Sequence, residues 1–151
     1  MDKLLWTPSE ERIKNSNMYA FMNTINEKFG KDFTEYDQLY QWSIDHIPEF
    51  WSSMWDFGDI KASSPYEQVV DDPKKMPGAE WFSGARLNFA ENLLRYYDDQ
   101  TALIFKGEDR IVERITYNQL YNEVAKLAAS LRMSGIAKGD RVVGFMPNMP
   151  Q

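Results

Sequence analysis

The 151-residue chain is 43% hydrophobic and 26% charged, ordinary usage for one globular domain or two small ones, and its 15% aromatic content excludes a disordered tail. It carries 23 acidic and 17 basic residues for a net charge of −6, and its Lys and Arg are scattered rather than striped, which excludes a phosphate-tracking nucleic-acid surface. The absence of cysteine removes disulfides, thiolate metal sites and a cysteine nucleophile together.

The opening MDKLLWTPSEER has no apolar run long enough for a signal peptide, and no segment has the length to span a bilayer, so a cytoplasmic location is expected. In the same stretch, Thr7 as N-cap, Pro8 at the first helical position and Glu10 closing a capping box predict a first helix. The NSN at 15–17 breaks or re-caps it. Met18, Phe21, Met22, Ile25 and Phe29 then fall at helical spacing, with Gly30 as the stop. A third helix is expected from Thr34, carrying Tyr36, Leu39, Tyr40 and Ser43 on one side. Pro48 starts a fourth, with Phe50, Trp51, Met54 and Trp55 on its apolar face and Gly58 beyond its end.

Residues 59–86 are punctuated by Pro65, Pro73, Pro77, Gly78 and Gly84 and read as irregular. Asn88 with Glu91 marks another helix start, its apolar face running from Leu87 through Ala90, Leu93 and Leu94 to Tyr97. The runs TALIF and RIVERI around KGED predict a β-hairpin. The next helix has the fullest set of signals: a capping box from Thr116 and Gln119, a hydrophobic staple from Ile115 and Leu120, a stripe of Leu120, Val124, Leu127, Ala128 and Leu131, and Gly135 with Ile136 in a Schellman stop. KGDR then turns the chain into VVGF, Val142 to Phe145, an apolar run of the kind that forms a strand covered on both faces.

Each candidate for chemistry has a plainer reading. His46 is the one histidine, so a His-based metal site would need carboxylates that nothing in the sequence places beside it; a surface or capping role near a helix end suits it better. The acidic pairs Glu10–Glu11, Asp71–Asp72 and Asp98–Asp99 suit solvated charge, since adjacent side chains rarely converge on one substrate atom. SGIAKGDR has glycines and a lysine in proximity, but a phosphate loop needs a strand before it and a helix after it, and here the order is reversed. The aromatic set Trp42, Phe50, Trp51, Trp55, Phe57, Trp81 and Phe82 could form a ligand cage or a membrane belt; without a Lys/Arg-rich polar face it reads first as packing. From the residues alone the chain is an α/β piece with no catalytic, cofactor-binding or metal-ligating residue.

Residues 115–150 resemble the opening of the AMP-forming acyl-CoA synthetases and their adenylate-forming relatives: Thr116, Tyr117, Leu120, Leu131, Gly135, Lys138, Gly139, Asp140, Arg141, Val142, Pro147 and Asn148 fit that superfamily's pattern in order. FWSSMWDF and WFSGARLNFAENLL are similar to the N-terminal extension of the short-chain branch, and LWTPSEERIKNSNMYAFM with YDQLYQWSIDHIPEFW to its acetoacetate-using members. The resemblance implies a helical, aromatic-rich extension over 1–100. It implies the start of an adenylation domain over 101–151, a hairpin, a helix and the first sheet strand, within an α/β fold that is α+β in this stretch. It also implies a parent ligase that joins a short acid to CoA through an acyl-adenylate, using ATP, Mg2+ and CoA. The family's phosphate loop, adenine- and ribose-binding groups, catalytic lysine and main CoA contacts all lie beyond the equivalent of Gln151. This stretch alone is therefore expected to be inactive, to bind none of these groups specifically, and to self-associate through an exposed edge at 142–145. The alternatives are an acetate- or propionate-using member, or a non-catalytic interaction module whose aromatics form a protein-binding patch.

Overall fold

The computed structural model describes residues 5–108, 112–147 and 149–150. They fall into two compact units, Met1–Leu87 and Asn88–Gln151.

The first unit begins with α1 (Glu10–Lys14), whose N-cap is Ser9 rather than Thr7: the N–H of Arg12 donates to Ser9 Oγ at 3.2 Å. Serine is the stronger cap of the two, so the helix starts later and Pro8 precedes the cap. Ser16 then caps α2 (Asn17–Phe29), accepting from the N–H of Tyr19 at 3.2 Å, and Gly30 closes it. In α3 (Tyr36–Asp45) the N-cap is Glu35, one residue past Thr34, because the Gln38 side chain reaches back to accept from the N–H groups of both Thr34 (2.9 Å) and Glu35 (3.1 Å). α4 (Ile47–Phe57) starts with Pro48 in its first turn.

Phe21, Met22 and Ile25 of α2 and Leu39 and Trp42 of α3 form the buried cluster, flanked by Phe29, Phe33, Phe50 and Met54. The predicted face of α3 is thus rotated. Leu39 and Trp42 go inside, while Tyr36 and Tyr40 stack on each other at 6.1 Å and stay half exposed. The larger and less polar indole claims the interior, and each phenol keeps its hydroxyl near water.

The segment expected to be irregular instead forms two short antiparallel ladders. β1 (Ala62–Ser64) pairs with β4 (Arg86–Leu87), and β2 (Gln68–Val70) pairs with β3 (Trp81–Ser83), with Gln68 opposite Ser83 and Val70 opposite Trp81. Strands this short carry no readable alternation, and their partners are far apart in sequence.

In the second unit, Asn88 caps α5 (Phe89–Leu93) by accepting from the N–H of Glu91 at 3.2 Å. The helix ends at Leu93, with Leu94 as its C-cap, short of the expected Tyr97; Tyr96 and Tyr97 instead pack on Tyr117 (5.4 Å) and Tyr121 (4.9 Å). The hairpin is present as β5 (Thr101–Lys106) against β6 (Val112–Thr116), Thr101 opposite Thr116 and Lys106 opposite Val112. Its loop at 109–111 lies outside the described residues.

α6 (Tyr117–Met133) follows with the capping box intact: Gln119 N–H donates to Thr116 Oγ1 at 3.2 Å, and Thr116 N–H donates to Gln119 Oε1 at 2.9 Å. Its stop is a full Schellman motif. The Ile136 N–H bonds to Leu131 O at 3.1 Å and the Gly135 N–H to Arg132 O at 3.0 Å, while Gly135 sits at φ +84°, where a side chain is strained. The predicted strand at Val142–Phe145 is corrected: residues 141–147 form no strand. A ladder exists only between partners, and none lies beside this run among the described residues.

Candidate functional site

The acidic pairs are held apart from any shared target. Glu10 and Glu11 sit in the first turn of α1, where acids favour the helix dipole, and Glu10 is 4.0 Å from Lys14. Asp98 Oδ1 accepts from the Gln100 N–H at 3.0 Å and Oδ2 from its side-chain amide at 2.8 Å. Its carbonyl takes the N–H of Asn118 at 2.9 Å, which ties the chain before β5 to the start of α6.

Asp71 is the most heavily used carboxylate. It accepts from the Lys75 ammonium at 2.9 Å, the Asp72 N–H at 2.7 Å and the Glu80 N–H at 2.8 Å. With Asp71 N–H bonded to Glu80 O at 3.1 Å, both ends of the β2–β3 loop are closed on one residue. The Lys75 hydrogen bond, then those from the two backbone N–H groups, holds the Asp71 carboxyl at about 2, and the Asp71 carboxylate in turn raises Lys75. This is a loop clasp.

His46 lies between α3 and α4. Its backbone N–H donates to Trp42 O at 2.9 Å and its carbonyl accepts from Phe50 N–H at 2.9 Å, so it joins two helices through its main chain. Its exposed ring is 5.7 Å from that of Trp42. Among the described residues no group of three or more His, Cys, Asp or Glu is arranged to hold a metal ion.

The glycines of SGIAKGDR serve backbone turns. Gly135 ends α6, and Gly139, at φ +104°, is the third residue of a turn in which Asp140 N–H bonds to Ala137 O at 3.1 Å and Asp140 Oδ2 accepts from Ala137 N–H at 2.7 Å. Among the described residues no helix N-terminus follows them, so these glycines do not form a phosphate loop. The groove of about 620 Å³ beside β6 and α6 is lined by Ile115, Leu120, Val124 and Leu127, with Arg114 and Glu113 at its edge, and is mostly apolar.

The aromatic set divides. Trp42 is buried, in contact with Phe29 at 5.1 Å. Trp55, Tyr66 and Phe82 form a triad at 4.7–5.3 Å, with Tyr66 Oη 3.0 Å from Ser52 Oγ. Phe82, one of the three, sits at φ +49°, an unusual conformation for a bulky side chain. Nothing in the sequence announced it. Trp51 and Trp81 meet edge to face at 6.0 Å and each remains 43% exposed. No helix among the described residues is long and apolar enough to cross a membrane.

Comparison with known proteins adds what this geometry does not carry. The family model for the acetyl-coenzyme A synthetase N-terminus matches residues 36–93, and that for AMP-binding enzymes matches residues 89–151. The acetoacetyl-CoA synthetase of Danio rerio is 42% identical over 149 residues, covering 97% of this chain and 22% of that protein. That of Rhizobium meliloti (strain 1021) is 40% identical over 150 residues, covering 99% of this chain and 23% of its own length. The solved acetoacetyl-CoA synthetase from Streptomyces lividans superimposes with a TM-score of 0.84 at 37% identity, over 99% of this chain and 24% of that one. The chain therefore spans less than a quarter of the length of the relatives it matches, and the mixed helices and small antiparallel sheets described above are those of the N-terminal part of an adenylate-forming fold. The two family models thus match the chain in succession from residue 36 to residue 151, and almost its full length is similar to a portion of the acetoacetyl-CoA synthetases.

Proposed function

We propose that this chain is the front portion of an ATP-dependent ligase that converts acetoacetate, ATP and CoA to acetoacetyl-CoA, AMP and pyrophosphate through an acyl-adenylate, in the cytoplasm. The observation that carries the reading is similarity along 97–99% of the chain to enzymes named for that acid, rather than to one shared motif. Adenylation is the chemistry such a reaction needs, because a carboxylate is a poor electrophile until it carries a good leaving group. Mg2+ would accompany ATP. The residues described above supply neither a metal site nor a phosphate cradle, so this portion takes no step of the reaction on itself. It contributes scaffold, and by itself is inactive.

The test is a chimera in which this chain replaces the matched portion of the Danio rerio relative. ATP- and CoA-dependent thioester formation is assayed with acetoacetate, acetate and propionate. Turnover of acetoacetate is expected, because the rest of that relative supplies the groups this portion lacks; a folded chimera that turns over none of the three acids would overturn the reading. Turnover by the 151-residue chain alone would sink the scaffold assignment.

A further inference from the structure

A groove opens beside the core of the first unit, where α2, α3 and α4 meet. It is lined by the buried Phe21 and Leu39, the half-buried Phe50, and Met18, Tyr36 and Tyr40, which remain 50%, 56% and 52% exposed. The lining is mostly apolar, and the volume is about 190 Å³. An apolar cavity of ~150 Å³ holds a benzene ring, so this groove has room for one aromatic or leucine side chain.

The helices around it are anionic. Residues 32–60 contain no Lys or Arg, while Asp and Glu recur through them. The one base of α2, Lys28, is already engaged by Asp56 at 2.9 Å. Asp37, Asp45 and Glu49 are exposed, and no Lys or Arg among the described residues pairs with them. Asp37 precedes Tyr40 by three positions on α3, which makes the two neighbours on the helix surface. Glu49 adjoins the groove residue Phe50 in α4. The rings of Tyr36 and Tyr40, stacked at 6.1 Å and half exposed, add electron-rich faces that attract a Lys or Arg side chain.

We propose that this groove docks a short basic segment of a separate protein, with one apolar side chain entering between the helices and flanking Lys or Arg facing the acids. The apolar lining selects the anchor, and the unpaired carboxylates select the charge around it. Nucleic acid and an anionic membrane both bring negative charge to an already negative surface. A second copy does the same, since each carries a net charge of −6.

Fluorescence anisotropy of a labelled helical peptide of Lys and Leu with one central Phe, titrated with the full-length chimera, tests this. Saturable binding is expected. It should weaken at least ~10-fold when Glu replaces every Lys, and at least ~10-fold when Ala replaces the Phe. On the protein side, Asp37→Lys combined with Glu49→Lys should weaken it at least ~10-fold through charge, and Tyr40→Ala should weaken it through loss of groove lining. All three side chains are exposed, so the far-UV circular dichroism of the chimera should not change in either variant. No saturable binding, equal affinity for the Lys and Glu peptides, or affinity unchanged in both variants would overturn the proposal. Binding by the 151-residue chain that is lost in the chimera would overturn it too, since the groove would then be covered within the enzyme itself. Acetoacetate turnover by the same chimera reports on the ligase reading separately.

Discussion

The side-chain amide of Asn26 holds the backbone of Phe33 by both of its polar groups, Nδ2 donating to Phe33 O and Oδ1 accepting from Phe33 N–H, each at 2.9 Å. An α2 side chain thereby acts as a strand would, fixing the α2–α3 connection and setting Phe33 6.4 Å from Trp42. Asn26→Ala leaves two partly buried backbone groups without this partner and is expected to cost about 2 kcal/mol. Asn26→Asp keeps the acceptor but sets a carboxylate against a carbonyl, so it should be no better. Urea unfolding followed by tryptophan fluorescence measures both. An Asn26→Ala midpoint equal to that of the parent chain would show that the clamp carries no stability.

Ile25 is fully buried at the centre of the first unit. Ile25→Ala removes transfer energy and leaves a cavity, for an expected loss of about 3 kcal/mol. If only the first unit has a core, the loss should appear as exchange of amides 17–57, with those of 117–133 unaffected.

Trp42 presents a different case, because its buried Nε1–H has no hydrogen-bond partner in the structure. Trp42→Phe removes that orphaned donor along with some apolar area, so the two effects oppose each other. It should cost at least about 2 kcal/mol less than Trp42→Ala, which removes the packing altogether. The same urea titrations, followed by far-UV circular dichroism, compare the two variants.

The Asp71 clasp sets an acid response. Its folded pKa of about 2 lies below the ordinary 3.8, so its stabilising contribution is full above pH 3.8 and lost as the pH falls through about 2. Lys75 has the opposite sign: its pKa is raised from 10.5, so its contribution is present below that value and lost as the pH rises above it. Carbon-detected NMR titration of Asp71 should give a midpoint near 2, and in Asp71→Asn the amide shifts of residues 72–80 should lose their response in that window. A midpoint at the ordinary 3.8 would show that the clasp is not formed in solution.

The α6 cap is testable by itself. Thr116→Ala should cost about 1 kcal/mol by freeing the Gln119 N–H, and the change should be read in the thermal loss of helical circular dichroism. Gly135→Ala, at φ +84° with open space around it, should cost a similar ~1 kcal/mol through backbone strain alone.

What the sequence determined by itself was local. Ser16, Gly30, Asn88, Thr116 with Gln119, and Gly135 with Ile136 each act within a few residues on groups the helix itself leaves unpaired, so their meaning did not depend on the rest of the fold. The hairpin was legible for the same reason, its two runs being near neighbours in the chain. The tertiary structure decided whatever depends on distant partners. It chose the side of α3 that goes inside, because Trp42 packs against α2 and Phe33. It formed the ladders between 62–70 and 81–87, whose strands are too short to show a period. It brought Phe82 against Trp55 and Tyr66, and it left Val142–Phe145 without a strand, because pairing needs a neighbour. The candidate residues followed the same division. Reasons to doubt His46, the acidic pairs and the glycines as chemistry were local, but only the folded chain showed Asp71 clasping its loop and Asn26 holding Phe33, since both relations join groups whose proximity no local pattern records.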